Sequence, residues 1–301
     1  MVSTTMSASG AGTIASSRGF EIEVIELDAP RYPERILDLP NPPARLFCIG
    51  DVDLISNPMI AIVGTRNPTP YGVRAAREIA KAFSQAGVTL VSGMARGIDA
   101  VIHETALDCG SPTIAILGTG VDVPYPSAHR GLHGRIAIAG LVVSESRPGS
   151  WAHQGAFPRR NRIIAGLARA TIIIEAGHRS GALNTASHAM NIDRPVAAVP
   201  GPIDSPQSDG ANQLLRDGAI VIASVADALA LVGLGHSHQP EPLQLSEAEG
   251  RVWSALIGGA VGMDALASAS GLPARECMTV VTSLELRGLI ECLISGEIRR
   301  R

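Results

Sequence analysis

The sequence predicts an α/β protein with a doubly wound, mostly parallel sheet and a small C-terminal domain. Short runs that are apolar on every residue alternate with longer segments of helical period, and a stretch rich in chain-breaking residues separates the last part of the chain. The chain has 301 residues, of which 46% are hydrophobic and 18% charged. This composition suffices for a sizeable core, and the length favours one large domain and one small one.

The predicted strands are seven apolar runs. They lie at residues 60–63, 88–91, 113–117, 141–143, 171–174, 196–199 and 219–222. Because consecutive residues are apolar, both faces of each strand should be covered by helices, which is typical of a parallel sheet. Ligands of such sheets bind where strands end and loops turn into helices, so we expect the ligand-binding residues at those exits.

Glycine and arginine mark the strand exits. The first exit reads Gly64, Thr65, Arg66, and the second runs from Ser92 through Arg96 to Gly97. Glycines let backbone N–H groups approach an anion, and a following helix start adds partial positive charge. The alternative is that these glycines only make tight strand-to-helix turns.

Positive charge is concentrated on one segment. Five arginines and no acidic residue lie between Arg147 and Ile174, although the chain as a whole carries a net charge of −3. Phe157 stands close to Arg159, Arg160 and Arg162. Aromatic rings and guanidinium groups stack on bases and hold phosphates, so we expect an anionic partner. The alternative is a solvated helix start.

Several classes of protein are disfavoured. The sequence has neither a G-x-G-x-x-G dinucleotide fingerprint nor a P-loop, and no G-x-S-x-G elbow surrounds Ser92. Its four cysteines are far apart, without a C-x-x-C pair. His103 and Glu104 lack the second histidine of an H-E-x-x-H motif, and we expect them on the surface. We therefore expect no catalytic residue, metal or cofactor.

The ends of the chain carry simpler signals. Residues 1–19 are rich in Ser, Ala, Thr and Gly and are predicted to be a disordered tail without a signal peptide. Apolar runs are too short to cross a bilayer, and reduced thiols fit a cytosol, so we expect a cytoplasmic protein with no membrane partner.

The C-terminal part predicts a winged helix. Residues 233–245 are polar and rich in Gly and Pro, as in a linker. Beyond it, within 246–301, we predict three helices, from Ser246, from Met263 to Ser270 and after Pro273, and then a hairpin at Ser295-Gly296. The third helix balances Arg275 and Arg287 against Glu276 and Glu285. A protein contact or a role in dimer formation is favoured for this helix over the reading of duplex DNA, and both alternatives stay open.

Ordered motifs resemble those of a known family. They occupy residues 62–66, 92–100, 157–167, 175–176 with 180–183, 199–201, and 210–215 with 217–219. Together they resemble the DprA/Smf family, from about Asp28 to the C terminus. The resemblance implies an extended Rossmann-like domain, here residues 20–232, that binds single-stranded DNA without cutting it. It also implies a homodimer that protects incoming strands in natural transformation and helps load the RecA recombinase.

Carried over by position, the family's DNA site falls on a defined set of residues. It comprises Arg66, Ser92, Gly93, Met94, Ala95, Arg96, Gly97, Phe157, Arg160, Asn161 and Arg162. To these we add the adjoining Gly64, Thr65 and Arg159, and also Arg179, Ser180 and Gly181, which could form an anion nest after the predicted strand at 171–174. Our hypothesis is that Arg66, Arg160 and Arg162 hold phosphates while Phe157 packs against a base. Ser180 could instead cap a helix, and Asp99 is expected to be structural.

The loop at residues 199–204 bears on an enzymatic alternative. Rossmann relatives of the lysine-decarboxylase-like superfamily cleave nucleoside monophosphates with a P-G-G-x-G-T-x-x-E loop. The comparable stretch here, residues 199–204, reads VPGPID and lacks the second glycine and the glutamate. A phosphoribohydrolase is therefore the less favoured interpretation.

Overall fold

The computed structural model describes residues 5–6, 11–15, 19–234, 245–257, 259, 261–293 and 296–300. The chain divides into two compact units, Met1–Ser237 and His238–Arg301. Most of the predicted linker, the hairpin residue Ser295 and the last arginine lie outside the described residues.

The first unit is built on one sheet of eleven strands. In chain order these are β1 (Thr5–Met6), β2 (Ala11–Ala15), β3 (Glu21–Glu26), β4 (Arg45–Gly50), β5 (Met59–Val63), β6 (Thr89–Ser92), β7 (Thr113–Leu117), β8 (Leu141–Ser144), β9 (Thr171–Ile173), β10 (Val196–Ala198) and β11 (Ile220–Val221). Their order across the sheet is β1-β2-β3-β4-β8-β7-β6-β5-β9-β10-β11. Strands β5 to β11 are parallel, and β4, β3, β2 and β1 extend the sheet antiparallel beyond β8.

Helices cover both faces of this sheet, which confirms the doubly wound prediction. They are α1 (Pro70–Gln85), α2 (Ile98–Asp108), α3 (Arg130–Ala139), α4 (Ala156–Leu167), α5 (Gly181–Met190), α6 (Asp209–Arg216) and α7 (Val225–Ala230). On one face α4 packs Ile163 and Ile164 into a core with Val63. On the other face α1 packs Ile79 and Phe83 against Ile62. Successive residues of β5 thus enter opposite cores, which explains why its whole run is apolar.

The direction of winding reverses at β5. From β5 the chain continues through β6, β7 and β8 on one side, and then returns to β9, β10 and β11 on the other. The loops that leave β5 and β9 therefore run to helices on opposite faces and open a crevice at the carboxyl ends of these strands.

Some elements differ from the prediction. Seven residues of the tail that is expected to be disordered form strands β1 and β2, because β1 pairs with β2 and β2 pairs with β3. The other residues from 1 to 18 lie outside the described part. Strand β11 is not covered on both faces, since Ile220 is 45% and Val221 52% exposed at the sheet edge. His103 is wholly buried because it lies on the face of α2 that packs on the sheet.

The second unit is a winged helix, as predicted. Its elements are α8 (Glu247–Ala255), β12 (Val261–Gly262), α9 (Met263–Ser270), α10 (Ala274–Leu286), β13 (Ile290–Cys292) and β14 (Glu297–Arg300). The sheet order is β12-β14-β13, and Val252, Leu266 and Leu284 are central to a separate core. Ser246 and Glu249 form a capping box at the start of α8. Among the described residues of both units, no helix is long and apolar enough to span a bilayer.

Candidate functional site

A crevice of about 570 Å³ lies at the carboxyl ends of β5 and β9. Its walls come from the loops after these two strands and from the starts of α4 and α5. A smaller pocket of about 210 Å³ shares Arg66, Ala95, Phe157 and Arg160 with it, and adds more of the loop after β6 and part of the loop after β7. The site therefore lies at the point where the strand order reverses, as expected for a ligand site in this class of sheet.

Arg66 projects from a rigid loop. Thr65 N donates to the carbonyl of Glu175 at 2.7 Å, and Thr65 O accepts from Ile98 N at 3.2 Å. Arg66 itself is exposed, with its guanidinium carbon 5.8 Å from the centroid of the Phe157 ring. No carboxylate among the described residues pairs with it. The loop thus holds a charged group at the crevice that is available to a ligand.

Asp99 organises the loop after β6. Its carboxylate accepts from Gly93 N at 3.1 Å and Ala95 N at 3.3 Å. Burial raises the pKa of Asp99, while the positive charge of Arg160 and the backbone N–H groups lower it. The structural role expected for Asp99 is what the contacts show.

Some residues of the same loop do not face the pocket. Ser92 is buried and donates to the carbonyl of Ile62 at 2.7 Å, and Met94 is fully buried. At Gly97 φ is +79°, and an added Cβ would meet the carbonyls of Thr65 and Arg66. Gly93, Ala95 and Arg96 are therefore the residues of this predicted stretch that reach the pocket wall.

Arg160 differs from the hypothesis of a phosphate-holding side chain. Only 6% of the residue is exposed, and its Nη1 donates to the carbonyls of Gly93, at 2.6 Å, and Ile116. Burial lowers the pKa of Arg160 to about 10, opposed by Asp99, so the group stays charged at neutral pH. The guanidinium ties the loop after β6 to strand β7, since α4 packs with the face that carries Arg160 turned toward the sheet.

The remaining polar residues of α4 divide between its two sides. Asn161 is buried and donates to the carbonyl of Gly181 at 3.2 Å and to Asn184 Oδ1 at 3.1 Å. Arg159 and Arg162 both pair with Glu145, at 2.5 and 2.7 Å, in a separate groove. Arg160 lines the crevice together with Arg66, and residues 160 and 162 are about 200° apart around a helix. Arg162 therefore lies on the other side of α4, away from Arg66.

The loop after β9 supplies the opposite wall. Ser180 caps α5 by accepting from Ala182 N at 3.3 Å, so the helix-cap alternative is observed. The same residue lines the crevice together with Arg179, which is exposed, and Gly181. The N-terminal N–H groups of α5 therefore add to the positive potential at this wall.

One aromatic residue of the site is not indicated by any pattern in the sequence. Tyr125 is 42% exposed, and its ring centroid lies 4.9 Å from that of Phe157. Nothing in the local sequence links the loop after β7 to α4, so only the fold brings the two rings together. Glu145, which stands just before the arginine-rich segment, was also missed.

The arrangement is suited to a planar, anionic ligand. Arg66, Arg96 and Arg179 are exposed around a ring pair formed by Phe157 and Tyr125. The one carboxylate among the described lining residues is Asp99, whose Oδ2 is held by the backbone. Exposed guanidinium groups can hold phosphates, and an aromatic face can stack on a base.

Models of known protein families match almost the whole chain. Residues 23–233 match the family model described as DNA recombination-mediator protein A, and residues 236–294 match the DprA winged helix domain. The putative DNA processing protein DprA of Mycobacterium tuberculosis is 42% identical over 260 residues, which span 83% of this chain and 67% of the relative. DprA of Streptococcus pneumoniae is 41% identical over 199 residues, 66% of this chain and 70% of the relative.

Solved structures show the same fold. The X-ray structure of the pneumococcal protein superposes with a TM-score of 0.67 at 39% identity and covers 69% of this chain and 73% of its own. A structure of DNA processing protein A from Helicobacter pylori gives 0.66 at 31% identity, over 72% of this chain and 98% of its own. The description of the latter concerns how that protein binds single-stranded DNA.

Proposed function

Because the chain belongs to the DprA/Smf family of DNA recombination-mediator proteins, we propose that it binds single-stranded DNA in the crevice between the loops after β5 and β9. The observation that carries the proposal is the pairing of the exposed Arg66 with the Phe157 ring at the strand-order reversal. By family membership the chain acts as a DNA-binding recombination mediator and not as a catalyst.

The chemistry favours unpaired over paired DNA. Arg66, Arg96 and Arg179 would hold phosphates, while Phe157 and Tyr125 would stack on a base that is free of its complement. Every base has a π face, so binding should show little sequence preference. Bases in a duplex have both faces stacked and cannot reach the rings.

The finer role extends this proposal. By family membership the chain would protect incoming single strands during natural transformation in the cytoplasm and help load RecA onto them. A homodimer would bring two crevices to one strand and raise its avidity without new contacts.

A nucleotide-cleaving role is not favoured. In the stretch where the hydrolase loop would lie, Gly201 N donates to Asn212 Oδ1 at 3.1 Å and Gly201 O accepts from Asn212 Nδ2 at 3.0 Å. Two hydrogen bonds thus fix this turn to α6, which supports a structural role for the turn.

The test is the affinity of Arg66→Ala for labelled oligothymidylate, measured by fluorescence anisotropy across a salt series. We expect weaker binding of every single-stranded sequence and a salt slope smaller by about 0.7, as one phosphate contact is lost. Arg77→Ala is the matched control, since Arg77 is an exposed arginine on α1 with no partner among the described residues. Parental binding by Arg66→Ala would overturn the assignment.

A further inference from the structure

We propose that a second basic groove, on the other side of α4, binds the phosphate backbone of the same single strand that occupies the crevice. This inference rests on the proposed function. The second groove is lined by Arg45, Arg147, Arg159 and Arg162 above Phe47, and its volume is about 560 Å³. The crevice alone accounts for neither the position nor the charge of these four arginines.

The second groove carries excess positive charge. Its lining holds four arginines and one carboxylate, Glu145, which pairs with both Arg159 and Arg162. Arg147 is exposed and its side chain has no partner among the described residues, and Nη1 of Arg162 is buried with no hydrogen-bond partner among them. Arg45 lies 3.5 Å from Glu26 in a pair that is half exposed.

The Arg45–Glu26 pair can yield to a phosphate at small cost, because its side chains are 49% and 38% exposed and exposed pairs contribute at most about 1 kcal/mol each. Arg159 is 65% exposed, so it can turn to a ligand while Glu145 keeps its pair with the mostly buried Arg162. A phosphodiester offers the same arginines two non-bridging oxygens, which a planar guanidinium can bond in a bidentate manner. The groove is therefore able to exchange internal partners for a ligand without unfolding any element.

Helix α4 connects the two sites. Phe157 and Arg160, three residues apart, line the crevice, while Arg159 and Arg162, also three residues apart, line the second groove. Residues at this spacing share a helix face, so the sites flank one helix about 10 Å across. A strand leaving the crevice would cross the N-terminal end of α4, whose first turn has no acidic residue and where the helix dipole favours negative charge.

The loop before α4 offers a further contact for that strand. Trp151 is 78% exposed in the segment between Arg147, which lines the second groove, and Phe157, which lines the crevice. An exposed indole on a loop that joins two basic sites can serve as a base-stacking platform. A continuous polynucleotide fits this row of contacts better than an acidic peptide, which has no bases to stack.

The test compares oligothymidylates of about 4 and about 16 nucleotides on the parent protein and on Arg45→Gln/Arg147→Gln. We expect the double variant to bind the short strand as the parent does, and to lose about 1.4 from the salt slope of the long strand, since two single-strand phosphate contacts are removed. The matched control is Arg74→Gln/Arg77→Gln on α1, on the opposite face of the sheet, which should keep both slopes.

Outcomes separate this inference from the proposed function. If the double variant keeps the parental slope for the long strand while Arg66→Ala loses binding, the second groove is wrong and the crevice stands. If the parent binds neither strand, both fail. If polyglutamate binds the parent but not the double variant and the long-strand slopes are equal, the groove takes acidic proteins and the inference is overturned.

A second readout uses tryptophan fluorescence. Quenching of the parent by the long strand and not by the short one, lost in Trp151→Phe, would support passage of the strand along this loop. Equal quenching of the parent and of Trp151→Phe by the long strand would contradict it, because the quenched residue would then be Trp253.

Discussion

Arg66 and Arg160 show how burial decides what an arginine does. Both were expected to hold phosphate, and both reach the crevice, but Arg66 is exposed whereas the Nη1 of Arg160 is committed to two carbonyls. The sequence contained a signal for this difference. Arg160 precedes Ile163 and Ile164 by three and four residues, which places it on the buried face of α4.

Replacement of Arg160 should therefore act first on stability. Arg160→Gln removes two hydrogen bonds from a charged donor to buried carbonyls, and we expect the free energy of unfolding in urea to fall by about 3 kcal/mol. Arg66→Ala, which removes an exposed group, should change it by less than about 0.5 kcal/mol. An Arg160→Gln protein of parental stability that binds DNA weakly would instead indicate direct phosphate contact.

His103 should make stability depend on pH. Burial lowers its pKa from 6.5 to about 3, so the unfolded chain takes up the proton first. The contribution of the neutral His103 to the free energy of unfolding is thus fully present above about pH 6.5. It is lost as the pH falls toward 3, by up to about 1.4 kcal/mol per pH unit.

The matched variant is His103→Gln, which can still bond to Thr113 Oγ1 but does not titrate. We expect its unfolding free energy to fall less steeply with acid than that of the parent between about pH 7 and pH 4. Identical slopes for the two proteins would show that His103 titrates normally when folded.

At the scale of elements, the parallel core was predictable because its strands are buried on both faces. Each of the seven apolar runs overlaps a strand of the parallel sheet, and the helices of the winged unit begin and end close to the expected residues. Strand β3 was missed because glutamates interrupt the apolar residues of its sequence, EIEVIE, which is therefore not a continuous apolar run. Strands β1 and β2 were missed because small and polar residues carry no apolar run.

The site was harder to predict than the elements that hold it. Spacing identified the loops after β5, β6 and β9, but the contact between Tyr125 and Phe157 depends on how the loop after β7 meets α4. The division of α4 into two basic sides depends in the same way on its rotation about the helix axis, and on Glu145 outside the segment.

The loops after β5 and β6 should respond together to one backbone change. In Gly97→Ala the new Cβ would meet the Thr65 and Arg66 carbonyls at a φ of +79°. We expect a loss of about 1–3 kcal/mol in stability from the backbone strain alone, and weaker oligothymidylate binding as Arg66 is displaced.

The control for this change is Gly87→Ala, where φ is +73° but the space around the glycine is open. It should lose stability to a similar strain while keeping parental affinity for the strand. Equal affinities of the two variants would show that Gly97 does not set the position of Arg66.

At the scale of the whole molecule, a slightly acidic protein presents a local basic surface. The net charge is −3, yet exposed arginines gather around the crevice and the second groove. In the winged unit Arg287 is paired with Glu249 at 2.9 Å, which leaves little net charge on α10. The field of the first unit should therefore dominate association with DNA.

The most direct test of the account is photocrosslinking of the full chain to an oligothymidylate that contains 4-thiothymidine, with the crosslinked peptides identified by mass spectrometry. The account predicts crosslinks at Phe157, Tyr125 and the loop that carries Arg66, reduced by excess unlabelled single strand and not by duplex. Crosslinks confined to the winged unit or to the exposed face of α1 would contradict it.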